Sequence, residues 1–233
     1  MTDQVSTIQT ADGYGYAVSQ EQRNRVMRNT YWLLALSLLP TVLGAWVGVA
    51  TGITQSLRGG MGLIVFLGGA FGFMYAIEKT KNSAAGVPVL LAFTFFMGLM
   101  LSRMIGSVLG FKNGAELIML AFAGTAGVFF AMASLATVIK RDLSGMGKFL
   151  FVGAIVLLAA GLINVFVQSS ALMMALSVIA IGLFSAFMLY DLKRVMDGGE
   201  TNYITATLAI YLDLYNVFQS LLSLLGIFGG ERE

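Results

Sequence analysis

The chain has 233 residues, 58% of them hydrophobic and 11% charged, with a formal net charge of +2. A soluble domain carries about 25% charged residues, so this composition excludes an ordinary soluble fold and points to a polytopic membrane protein. With neither cysteine nor histidine, disulfide frameworks, thiolate chemistry, imidazole relays and the usual zinc sites are excluded, and carboxylates are the only groups left to titrate near neutral pH.

Residues 1–29 are polar and end in Arg23, Arg25 and Arg28. No apolar core precedes a cleavage site, which argues against a signal peptide. The expectation is a mostly disordered tail. Seven apolar segments follow, at about 30–51, 61–78, 87–109, 115–139, 149–167, 171–195 and 203–227, each near the ~20 residues that a bilayer core requires. Uniformly apolar runs of this length read as helices, whereas a barrel would alternate in pieces of about ten residues. The predicted fold is all-α, with a tail at 1–29, a seven-helix transmembrane domain at 30–228 and a short external tail at 229–233.

Lys and Arg set the orientation. With the N-terminus inside, ten of them fall on the inner side: Arg23, Arg25, Arg28, Lys79, Lys81, Lys140, Arg141, Lys148, Lys193 and Arg194. The outer side receives three, Arg58, Lys112 and Arg232, and Arg103 stays within a span. The N-terminus is therefore expected in the cytoplasm and the C-terminus outside. Pro40 should kink the first helix. Gly44, Gly48 and Gly52, and then Gly68, Gly69 and Gly72, would let helices approach closely. No internal repeat suggests the inverted halves of a transporter.

The chemistry concentrates at 187–226, where Asp191 and Asp213 sit on two apolar segments joined by a polar turn. Gly198 and Gly199 end one helix, and Thr201 or Asn202 caps the next. Measured from Glu200, Asp191 lies nine residues before and Asp213 thirteen after. The offset of four residues is about 6 Å in an antiparallel hairpin, so the carboxylates share a depth. Spacing does not fix whether they face each other. Asp213 is flanked by apolar runs that place it inside the bilayer, where a charge costs about 2.5 kcal/mol or more. Asp191 has two readings. It is interfacial and neutralised by Lys193 or Arg194, or it lies beside Asp213. In the second case the two share one proton at neutral pH, since like charges in contact cannot both ionise. Such a pair is both a pH sensor and a site for a hard cation such as calcium.

Asn216, Ser220 and Ser223 continue from Asp213 at helical spacing and line one face of the last helix with polar groups. That helix should be wrapped by the others, with these residues bonding between helices. Arg103 either pairs with Glu116, snorkels to the outer surface, or acts as counter-ion to Asp213. Glu78 ends the second span, either at the interface or as a third carboxylate at the pair. Two other seven-helix readings fail. A retinal protein needs a lysine in the last helix, and 203–227 contains none. An intramembrane aspartyl protease would pair Tyr-Asp with Gly-x-Gly-Asp. Tyr190-Asp191 fits, but Ile210-Tyr211-Leu212-Asp213 lacks both glycines. No enzymatic activity is expected.

LYDLK at 189–193, GGETNYITAT at 198–207 and YLDLYNVFQSLLSLLG at 211–226 resemble the Bax inhibitor-1 family, and GTAGVFFAMA at 124–133 and GLINVFVQ at 161–168 also fit. The likeness runs through residues 23–227 and is greatest to the bacterial branch, whose members are described as modulators of the FtsH protease. It implies seven helices with the last one central, in a bacterial inner membrane. It further implies, as in some members, a pH-sensitive calcium leak whose two sensor aspartates fall on Asp191 and Asp213. Calcium would be the conducted ion; no cofactor and no nucleic-acid partner are implied. In the bacterial branch the resemblance also implies binding to the membrane-anchored FtsH protease, with residues 1–29 as its cytoplasmic handle. One departure stands out. Many members carry Gly-Pro in the third helix where this chain has Ser102-Arg103, which exchanges a kink-former for a charge.

Overall fold

The computed structural model describes residues 19–55, 57 and 59–230. Among these, seven helices follow one another: α1 (Gln20–Thr51), α2 (Gly59–Thr80), α3 (Gly86–Leu109), α4 (Gly114–Val138), α5 (Met146–Val167), α6 (Ser170–Met196) and α7 (Tyr203–Gly229). All seven are long and apolar enough to cross a membrane, and the chain is a multi-pass membrane protein. Large apolar side chains such as Trp32, Leu39, Phe130 and Phe149 stand exposed. In water they would be anomalous, but around a bundle of spans they face lipid.

Helix α1 begins at Gln20, well before the apolar run, so the tail read at 1–29 is helical from residue 20. The physical reason is local. Ser19 is extended and its side chain caps the helix, accepting from the Gln22 amide at 3.2 Å. Glu21 in the first turn complements the helix dipole. Val26 then buries against Val195 and Ala206 of α6 and α7, which secures these early turns. Residues 1–18 and 231–233, and with them most of the two tails read from the sequence, lie outside the described residues, as do Ser56 and Arg58.

Helix α7 packs against α1, α2, α3, α4 and α6, whereas α5 packs on α6. The resemblance implied a last helix at the centre, and α7 has five of the other six helices as packing neighbours. The core sits where α1, α3 and α7 meet, around Leu33, Phe93, Tyr211 and Val217. Glycines bring α1 and α3 together: a Cβ on Gly44 would strike the Phe95 carbonyl, and one on Gly98 the Thr41 carbonyl. Gly52 has another use, as the left-handed cap of α1 at φ 66°. Of Gly68, Gly69 and Gly72 in α2, Gly69 is closely packed, against Phe96, whereas Gly68 and Gly72 open onto empty space. Pro40 lies inside α1, which continues through it.

The bundle ends are tied by single polar side chains. At the end that carries the start of α1, Asn202 donates to the Lys81 carbonyl at 3.1 Å and to Asn82 Oδ1 at 2.9 Å. At the opposite end, Asn113 donates to the Gly229 carbonyl at 2.6 Å. There Thr54 and Ser102 join hydroxyl to hydroxyl at 2.8 Å.

Candidate functional site

The α6–α7 hairpin builds the site. Helix α6 stops at Asp197, and Gly198 takes a left-handed φ of 82° that a side chain would resist. The Gly199 amide turns back to the Arg194 carbonyl at 2.8 Å. Asn202, rather than Thr201, caps α7, its Oδ1 accepting from the amides of Ile204 at 2.9 Å and Thr205 at 3.1 Å. This short turn holds the two helices antiparallel and in register.

The two carboxyl groups on it meet. Asp191 and Asp213 lie close enough for their carboxyl groups to interact directly. Ionised carboxylates offer only acceptors, so a hydrogen bond between the two would require one proton. Asp213 is 4% exposed, and its Oδ2 receives no hydrogen bond from any described donor. Asp191 is half-buried. Its basic neighbours are engaged elsewhere. Lys193 pairs with Asp197 at 2.7 Å and Arg194 with Glu200 at 3.7 Å. The reading of an Asp191 neutralised by direct pairing with either cation therefore gives way to contact with Asp213.

The structure does not bring Glu78 or Arg103 to the pair. Glu78 is exposed and bonded to Lys81 at 2.6 Å, because an interfacial carboxylate finds a cation one turn along its own strand of helix. Arg103 lies towards the other end of the bundle, where its Nη1 donates to the Leu57 carbonyl at 2.6 Å. Glu116 is exposed and forms no ion pair with Arg103 among the described residues. No group of three or more acidic side chains placed to hold a metal ion is found among the described residues. Calcium takes 6–8 oxygens as a rule, so the pair alone is a poor resident calcium site.

The polar stripe of α7 divides. Asn216 bonds within its own helix, to the Leu212 carbonyl at 2.7 Å. Ser220 is buried, and Ser223 is half-buried. The bonds that do run between helices come from residues the sequence reading passed over. Thr207 donates to the Thr30 carbonyl at 3.3 Å, Tyr211 bonds Thr41 Oγ1 at 2.9 Å, and Tyr215 donates to the Met97 carbonyl at 3.3 Å. These three recur every four residues, which is one face of a helix. That periodicity was the signal available for them.

A family described as "Inhibitor of apoptosis-promoting Bax1" matches residues 23–230. The chain is similar to Escherichia coli YccA, named a modulator of FtsH protease, at 37% identity over 87% of this chain and 90% of that one. In a second Escherichia coli strain the same relative is named an inner membrane protein. An uncharacterised Pseudomonas aeruginosa protein is 38% identical over 91% of this chain and 93% of its own. The match spans every helix, including the hairpin that joins the two aspartates. The chain belongs to the Bax inhibitor-1 family.

Proposed function

We propose that this chain is an inner-membrane modulator of an FtsH-type protease, acting by occupying that protease and having no enzymatic activity of its own. The observation that carries this reading is the near full-length similarity to a protein named for modulating FtsH. A chain built almost wholly of spans suits a partner that meets a membrane-anchored protease within the bilayer. In this reading the start of α1 lies in the cytoplasm and the C-terminus outside, the orientation that the Lys and Arg bias supports. The residues before Ser19 then serve as the handle. Affinity capture of the host's own FtsH-type protease, with full-length chain beside a variant lacking residues 1–18, tests this. The full chain should retain the protease and the variant should lose it; equal retention would reject the tail as handle.

A second reading, a pH-sensitive cation leak, is favoured by the contact between Asp191 and Asp213. Loss of the shared proton leaves two adjacent charges in a low-dielectric site, which repel and also attract cations. Calcium flux into liposomes, scanned from about pH 6 to 8, should then rise with pH in the wild type and be flat in Asp213→Asn. Absence of flux in the wild type would dismiss the leak and leave the pair as a structural feature.

A further inference from the structure

Arg103 sits in α3 six residues before its end at Leu109, about 9 Å inside the helix terminus. A guanidinium at that depth is costly unless something compensates it. No carboxylate pairs with it among the described residues, and the carbonyl of Leu57 takes one of its five N–H donors. The chain nevertheless makes room for it. A Cβ on Gly62 would strike the Leu57 carbonyl and come within 3.2 Å of Arg103 Nη1, so the absence of a side chain there leaves room for that carbonyl and for the guanidinium that donates to it.

Arg103 and Thr54 are common to two clefts, of about 400 and 500 Å³, at the end of the bundle opposite the start of α1. The first cleft is divided chemically. Thr54, Gln168 and Gln219 offer hydrogen-bonding groups, while Phe66, Met100 and Val165 supply an apolar wall. A planar guanidinium with donors to spare suits a phosphate, which it grips through two oxygens at once. The apolar wall would be superfluous for a soluble anion but seats the first methylenes of an acyl chain.

We propose that these clefts bind the phosphate headgroup of an anionic phospholipid, drawn from the leaflet opposite the start of α1 and gripped by Arg103. The site is separate from the aspartate pair and independent of the protease reading. Bound lipid would fasten the α1–α2 loop to α3 through the same guanidinium that already holds Leu57.

Native mass spectrometry of the full chain in detergent tests this. The probes are phosphatidylglycerol, diacylglycerol with the same chains but no phosphate, and inorganic phosphate. Phosphatidylglycerol should bind the wild type one to one, and Arg103→Gln should weaken it about tenfold or more, the value of a lost charged hydrogen bond. Arg103→Lys, which keeps the charge and a donor to Leu57, guards against misfolding and should fall between. Lys112→Gln should bind as the wild type does, and diacylglycerol should bind weakly whatever stands at 103. Equal phosphatidylglycerol binding in the wild type and Arg103→Gln would overturn the site. Arg103-dependent binding of inorganic phosphate as tight as that of the lipid would overturn the lipid assignment.

Discussion

Asp191 and Asp213 meet carboxyl to carboxyl across the α6–α7 hairpin, while Lys193 and Arg194 beside them pair with Asp197 and Glu200. The cations therefore fasten the turn, and neither forms a salt bridge to the two acids among the described residues. A buried polar group without a partner loses its hydration with nothing in return, so each aspartate supports the other's burial.

That mutual support is measurable as stability. Asp213→Ala removes the partner of Asp191 and should cost about 1–3 kcal/mol. Asp213→Asn keeps the shape and provides an amide donor to Asp191, and should cost clearly less. Combining Asp191→Ala with Asp213→Ala should cost less than the sum of the two single changes. Thermal unfolding in detergent checks all three, and additive losses would mean the carboxyls are not coupled.

Tyr211 and Thr41 join α7 to α1 by one hydroxyl bond of 2.9 Å. Tyr211→Phe and Thr41→Val each delete it without opening a cavity. A double-mutant cycle should give a coupling of about 0.6 kcal/mol, the usual scale for bonds between membrane helices. A coupling near zero would assign the role of Tyr211 to its ring, which packs edge-on against Phe93 with centroids 6.1 Å apart.

Close approach of α1 and α3 depends on Gly98. A methyl there meets the Thr41 carbonyl, backbone that cannot swing aside, so Gly98→Ala should cost about 1–3 kcal/mol. Gly72 faces open space, and Gly72→Ala should fall within about 0.5 kcal/mol of the wild type. Comparable losses at both positions would mean that α2 uses its glycines against a partner.

The loop between α4 and α5 carries a pH-dependent contact away from the spans. The Ser144 amide and hydroxyl both donate to Asp142, each at 2.8 Å. The amide first, then the hydroxyl, hold the Asp142 carboxyl below the usual carboxylate range. A depressed folded pKa means the contact stabilises above the unfolded value and fades as pH falls through the folded one. Ser144→Ala should raise the Asp142 pKa, read by carbon-detected NMR titration, and an unmoved pKa would give the whole effect to the amide.

Much of this was legible in the sequence because a bilayer demands long apolar runs, and each of the seven runs falls inside a helix or oversteps it by a single residue. The hairpin turn was legible too, through Gly198, Gly199 and Asn202, whose residue types match the backbone they adopt. The start of α1 was hidden, because its first turns are polar and held by a cap and by Val26 rather than by an apolar run. The meeting of Asp191 and Asp213 depends on helix rotation, which packing around α7 sets and spacing cannot. Carboxylate partners and snorkelling to the outer surface were the readings open for Arg103; its bond goes to a loop carbonyl at Leu57, an acceptor every residue possesses and no sequence marks. The clefts beside it are made by residues from five parts of the chain, so no local motif announced them.

Degradation measured in proteoliposomes tests the proposed function most directly. The host's FtsH-type protease is reconstituted with a membrane-anchored substrate, with and without an equal amount of this chain. Occupancy of the protease predicts slower loss of the substrate when the full chain is present, and restored loss when residues 1–18 are removed. An unchanged rate, with both proteins verified in the same vesicles, would contradict the modulator reading.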